Sequence, residues 1–223
     1  MTPRQSSTGD TKVGVLDAAE RLFAAHGFKA TSLRAITSHA NANLGAVNYH
    51  FSSKDELILA VLRRRMRPLN AERLALLDKF EADAGGKALP VEKIFEALFR
   101  PPLELVAKDR KSGRYFVRLM AQCLAEPGDF LRPLIQEEFA ERNRRFHAAM
   151  KRSLPRLSSD EVHWRLHFAH GVFMHAIANA HVLELSSGGR CRIRGVKSVL
   201  KRIITFCANG STAPVEKKKG KRS

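Results

Sequence analysis

Apolar residues recur along this chain at intervals of three and four, and no long stretch alternates apolar with polar positions. That is the period of helices rather than strands. Leu16, Ala19, Leu22 and Phe23 share one side of a first helix, which Thr11 caps and His26-Gly27 closes. Glycine suits that end because it tolerates the left-handed backbone found just past a helix. Thr31 offers a capping oxygen to a short second helix carrying Leu33, Ile36 and Ala40. Asn41-Ala42-Asn43 reads as a turn, since Asn41 accepts positive φ more readily than most residues and Asn43 can cap the next helix. That third short helix, Leu44 to His50, presents Val47 to the core, with Phe51 just after it. Ser53 and Glu56 make a capping-box pattern that opens a fourth helix, expected to kink or end near Pro68.

The rest of the chain repeats the helical pattern over 69–83, 91–108, 112–125, 129–153, 159–184 and 194–208. Gly85-Gly86, Pro101-Pro102, Pro127-Gly128, Pro155 and Ser186 to Gly189 punctuate it, and Pro101-Pro102 is a candidate split or kink. The fold class is all-α, with about nine helices in two domains. The expected divisions are a flexible arm over 1–9, an N-terminal domain over 10–69, a C-terminal domain over 70–209, and a disordered basic tail over 210–223.

Two short helices joined by a three-residue turn suit a helix-turn-helix, whose second helix lies in the major groove. Gly45 and Ala46 are small enough to let the backbone approach DNA. Asn48 suits an adenine edge, while Tyr49 and His50 reach phosphates or bases. The helix holds no Lys or Arg, so positive charge must come from its flanks at Lys29, Arg34 and Lys54. Free backbone N–H groups at the helix start beside Lys54 add to the attraction for phosphate.

The residues Leu16-Asp17-Ala18-Ala19-Glu20, Phe23, His26-Gly27-Phe28, Thr31-Ser32-Leu33-Arg34, Ile36, Ala46 to Phe51, Ser53-Lys54 and Leu57 resemble the DNA-binding domain of the TetR family of transcriptional regulators. Asn41 stands where that family commonly has glycine. The resemblance implies an all-helical homodimer that represses transcription from a palindromic operator in double-stranded DNA. It also implies release when a small molecule enters the C-terminal domain. By family position, Thr31, Asn43, Tyr49, His50 and Lys54 hold the sugar-phosphate backbone. Ser32, Arg34, Gly45, Ala46 and Asn48 lie nearest the bases.

Charge sharpens this picture. The chain has 39 Lys and Arg against 22 Asp and Glu, a formal net charge of +17, which favours an anionic partner. The tail alone carries Lys217, Lys218, Lys219, Lys221 and Arg222 among small residues, either strengthening non-specific DNA binding or merely solubilising the chain. Cys123, Cys191 and Cys207 are widely spaced and form no CxxC pair, which fits a reducing cytoplasm better than a disulfide framework or a zinc site. The polar first ten residues are no signal peptide. The charge-poor run Leu166–Leu183 is interrupted by four histidines and an asparagine, so it reads as a buried helix and no membrane is implied.

The segment 159–184 carries two apolar stripes. Val162, Leu166, Ala169, Phe173, Ile177 and Ala180 form one; Trp164, Phe168, Gly171, His175, Ala178 and Val182 form the other. Two faces suit a helix that packs inward on one side and meets a second copy on the other, although a central helix buried in one monomer fits the same pattern. The first stripe is taken as the dimer interface, and the resemblance implies that the last two helices pair across a two-fold axis. Between the stripes, His163, His167 and His170 fall at metal-ligating spacing. Groups strung along one helix cannot all reach one ion, so ordinary polar edge residues are the simpler reading; metal sensing is a lesser alternative, and no metal or cofactor is assigned.

Among the large apolar residues of the C-terminal domain, Phe99, Tyr115, Leu119, Trp164 and Phe168 are candidates to line an effector cavity, joined by Arg118 and His175. Arg114, Arg118 and Arg165 nearby suit an amphipathic anion, with a fatty acid or acyl-CoA as first choice. The run His163 to Phe168 with Gly171 is similar to fatty-acid-responsive TetR regulators of the PsrA type. No GxSxG, HExxH or GxxxxGK[ST] pattern is present, so an enzyme is not expected. An architectural DNA-binding protein without an effector is the remaining alternative.

Overall fold

The computed structural model describes residues 8–108, 110–125, 128–129, 131–192 and 195–215. Among them every regular element is helical: α1 (Thr8–His26), α2 (Leu33–His39), α3 (Leu44–His50), α4 (Lys54–Asp83), α5 (Val91–Lys108), α6 (Arg110–Ala125), α7 (Leu131–Pro133), a π-helical turn (Leu134–Glu138), α8 (Ala140–Ser153), α9 (Ser159–Ala178), α10 (Ala180–Ser186) and α11 (Val196–Thr212). No helix among the described residues is long and apolar enough to cross a membrane.

Several expected boundaries move. The first helix starts at Thr8, before the expected Thr11 cap and inside the expected arm. Pro68 sits within α4 rather than ending it. Met66 and Leu69 are buried on either side of it with Phe116, and that burial offsets the roughly 3 kcal/mol that an interior proline costs. The expected helix 129–153 is interrupted by the π-turn, and 159–184 breaks at Asn179. At the C-terminal end α11 continues through Thr212, so the start of the expected disordered tail is helical. The five basic tail residues and residues 1–7 lie outside the described set.

The chain divides into two compact units. The first comprises residues up to Ala71 together with Glu104–Glu141; the second comprises Glu72–Leu103 and the residues from Arg142 onward. The first unit's main core is built by Leu16, Ala19, Leu22 and Phe23 of α1, Ile36 of α2, Val47 of α3, and Leu57, Ile58 and Leu62 of α4. Leu119 of α6 and Leu134 of the π-turn are buried in that same cluster, which is why the segment 104–141 belongs with the helix-turn-helix. Gly27 supports the arrangement, because φ is +85° there and a Cβ would come within 3.2 Å of the Gln122 side chain on α6.

Ion pairs at its edges tie the first unit together. Glu20 of α1 is only 2% exposed and pairs with Arg64 and Arg65 of α4. Arg67 donates to Glu138 with Nη2 at 2.7 Å and Nε at 2.8 Å, and Asn70 Nδ2 donates to the Glu138 carbonyl at 2.9 Å. The hydrogen bonds from Arg67 hold the Glu138 carboxyl below its usual range. The second unit's core stacks Phe95, Phe99 and Phe173, with Phe99 at 5.6 Å from Phe95 and 4.8 Å from Phe173, and encloses Leu77, Leu98, Phe146, Val162 and Ile203.

Candidate nucleic-acid interface

Helix α2, the turn and α3 form the helix-turn-helix expected from the pattern. Asn41 adopts φ +50°, the left-handed conformation the turn needs and the asparagine tolerates. Val47 is fully buried and sets the rotation of α3. With Val47 inward, Gly45, Asn48 and Tyr49 face outward, Tyr49 at 80% exposure. An aromatic side chain left so exposed buries little within its own chain, which suits contact with a partner. His50 is half-buried between Tyr49 and Phe51, its ring 5.2 Å from that of Tyr49.

The flanking cations are positioned by the same local chemistry. Ser32, not Thr31, caps α2: its hydroxyl accepts from the Ala35 N–H at 3.1 Å. Thr31 is buried, and its Oγ1 donates to the carbonyls of Gly27 at 2.8 Å and Leu22 at 3.2 Å. The expected cap by Thr31 is therefore corrected, because that hydroxyl is committed to the core. Arg34 is exposed on the first turn of α2, and Asn43 is exposed just before α3. The side chain of Ala46 lies outside the described residues. Ser53 caps α4 as expected, accepting from the Glu56 N–H at 3.1 Å. Lys54 is half-buried and donates to the Lys29 carbonyl at 3.2 Å, which joins the start of α4 to the loop after α1.

The candidate effector residues divide between the two units. Tyr115 and Leu119 pack into the first unit's core, and Arg118 is exposed. Phe99 lies in the second unit's core, whereas Trp164, Phe168 and His175 lie on an exposed face of α9. Arg165, the other cation favoured from the sequence, is buried and donates to Glu161 at 3.0 Å and to the Ser211 carbonyl, so it ties α9 to α11.

The two stripes of the 159–184 segment differ in burial. Val162, Ala169 and Phe173 are buried in their own unit's core, with Leu166 and Ile177 packed against it, while Ala180 falls beyond the break in α10. Side chains already covered by their own chain cannot be covered again by another. The opposite stripe is the open one: Trp164 is 57% and Phe168 59% exposed, and Phe206 of α11 is 67% exposed. Phe168, Val172, Phe206, Cys207 and Gly210 line a shallow groove between α9 and α11. The histidines diverge as well: His163 stacks on His147 at 4.3 Å, His167 is exposed, and His170 turns inward. Among the described residues no three potential metal ligands gather.

Sequence patterns alone do not reveal the basic groups inside the second unit. Arg73 and Arg142 are buried there and lie close enough to His170 to influence its basicity. Nothing in their spacing along the chain separates them from surface arginines.

Residues 15–61 match the family model described as bacterial regulatory proteins of the tetR family, and residues 96–210 match the tetracyclin repressor-like C-terminal domain. Two regulators of Pseudomonas putida, the HTH-type transcriptional regulator SrpR and the HTH-type regulator TtgW, are each 31% identical over 119 residues. Those matches take in 53% of this chain, with 79% of TtgW but only 50% of SrpR, so half of SrpR's length is spanned. Among solved structures, FadR of Bacillus subtilis in complex with stearoyl-CoA superposes with a TM-score of 0.59 at 14% identity, over 89% of this chain and 98% of that one.

Proposed function

The chain belongs to the TetR family, and from that premise we propose that it is a ligand-responsive repressor that binds a palindromic operator as a homodimer. Proteins of this family are transcriptional regulators, not enzymes. The observation that carries the reading is the setting of α3: Val47 anchors it, Asn48 and Tyr49 point outward, Arg34 is exposed on the preceding helix, and Lys54 joins Lys29 at the start of the following one. A neutral reading surface framed by cations separates base contacts from phosphate contacts.

The second copy is assigned to the open stripe of α9 with α11. Trp164, Phe168 and Phe206 are large apolar side chains on two adjoining helices, and a two-fold axis there makes the same patch cover itself. Pairing also sets two α3 helices to read successive major grooves.

The effector is assigned to the second unit, as a fatty acid or acyl-CoA. Support comes from its aromatic core with buried arginines and from the stearoyl-CoA complex of the fold relative FadR. The transmitting element is α4, which supplies Leu57 and Leu62 to one core and Leu77 to the other without a break at Pro68. For control, ligand must favour one spacing of the two heads over another.

Selection of bound fragments from genomic DNA tests the whole reading. One enriched palindrome, released by a fatty acid or acyl-CoA, is the expected result. Enrichment of no sequence over random competitor in moderate salt overturns it.

A further inference from the structure

The second unit holds three basic groups drawn together from three helices: Arg73 of α4, Arg142 of α8 and His170 of α9. Arg73 is 5% exposed and Arg142 9%. Taking a guanidinium to that depth costs hydration that its neighbours must replace. Arg73 Nε donates to the Leu98 carbonyl at 2.9 Å, and Arg142 donates from Nε and Nη2 to the Asn143 side-chain oxygen. Burial, and then the charge of Arg142, lower Arg73 to about 9; burial alone lowers Arg142 to about 10.

His170 completes the set. Its Nδ1 lies 2.9 Å from the Leu166 carbonyl, which makes Nδ1 the protonated nitrogen and leaves a lone pair on Nε2. That Nε2 is buried and has no hydrogen-bond partner. A buried polar atom of this kind is uncommon and costs stability. Burial foremost, then Arg142, with Arg73 and His167 adding to it against the Leu166 bond, hold the imidazole neutral at about 3. The edge of the ring faces Phe99 at 6.0 Å, beside the Phe95 and Phe173 stack.

We propose that Arg73, Arg142 and His170 receive the carboxyl head of an amphipathic ligand. The proposal rests on the effector reading above and specifies where the head group binds. Its anchor is the bare Nε2 of His170, an unpartnered nitrogen among basic groups and beside an aromatic stack. A carboxylate gives that nitrogen a partner: one proton taken from solvent converts His170 to imidazolium, whose Nε2–H donates to a carboxylate oxygen. The same negative charge is drawn to the two guanidiniums that lie close by. A primary alcohol can donate to that nitrogen but brings no charge for the guanidiniums to attract, and an amine is repelled.

The test uses the purified full-length chain with decanoate, decanol and decylamine in titration calorimetry, run in two buffers of different ionisation enthalpy near neutral pH. Decanoate is expected to bind with uptake of about one proton, and decanol at least about tenfold more weakly. Arg73→Met and Arg142→Met are expected to lose decanoate binding, while His170→Gln binds more weakly and takes up no proton. Should an arginine variant fail to fold, His170→Gln still decides through the proton count. Failure of decanoate to bind, equal binding of decanol, or unchanged affinity and proton uptake in the folded variants overturns the site. Decanoate that releases operator DNA from every variant as from the parent leaves the effector reading standing and removes this site. Binding that the variants abolish, without operator release in the parent, keeps the site and removes the effector reading.

Discussion

Arg65 meets the buried carboxylate of Glu20 with Nε at 2.8 Å and Nη2 at 2.6 Å, locking the basic run of α4 to α1. Arg64 takes the other oxygen and adds Asp17 at 2.7 Å. Removing Glu20 takes the carboxylate from two guanidiniums that keep partial access to water, at roughly 1–3 kcal/mol. Glu20→Ala is therefore expected to lower the urea midpoint by an amount on that order. Glu137→Ala, at an exposed partner of Arg63, is expected to cost no more than about 1 kcal/mol. Equal losses from the two substitutions would refute the ranking.

Operator binding separates the outward residues of α3 from their flanks. Lys54→Ala is expected to weaken binding to operator and scrambled duplex alike and to flatten the salt dependence. Asn48→Ala is expected to lose ~1–3 kcal/mol of discrimination at one base pair. Affinities for both duplexes across a salt series check this. Equal loss on both DNAs with Asn48→Ala removes it as a base reader.

The open stripe of α9 makes a distinct prediction about assembly. Trp164→Glu and Phe168→Glu are expected to yield folded monomers in sedimentation equilibrium, because each sets a charge into an apolar contact. Val162→Ala is expected to keep the dimer while losing about 1–3 kcal/mol of stability, since Val162 is fully buried in its own unit. Trp164 is the single tryptophan, so its emission should shift to the blue as protein concentration rises through the dimerisation range.

Acid should act through His170. The native imidazole is held neutral down to about 3, first by burial and then by Arg142, whereas in the unfolded chain it takes a proton near pH 6.5. Below that value the unfolded state binds one more proton than the native state. Stability therefore falls as pH drops from about 6.5 towards 3 and is unaffected by this group above that window. Between pH 6.5 and 5 the loss is on the order of 2 kcal/mol. His170→Gln should remove that part of the slope in urea midpoints measured across the window; an unchanged slope would show that His170 is not its source.

The DNA-binding half is legible because its cues are local. The cap at Ser53, the inward Val47 and the positive φ of Asn41 each follow from a residue and its near neighbours. Thr31 misleads because Ser32 beside it offers the same hydroxyl, and only the core position of the Leu22 and Gly27 carbonyls decides which of the two turns inward. Pro68 misleads because Met66 and Leu69 are buried against Phe116, a residue far along the chain.

By itself the amino-acid sequence determined the helical period, the helix-turn-helix with its outward residues, and the presence of two apolar stripes on one late helix. Those depend on spacing within a few turns, where covalent geometry leaves little choice. Tertiary structure alone decided which stripe stays open, that Leu119 and Leu134 complete the head's core, and that Arg73, Arg142 and His170 are buried within electrostatic reach of one another inside the second unit. Such outcomes depend on which distant surfaces bury the most apolar area together, and no local pattern encodes that sum.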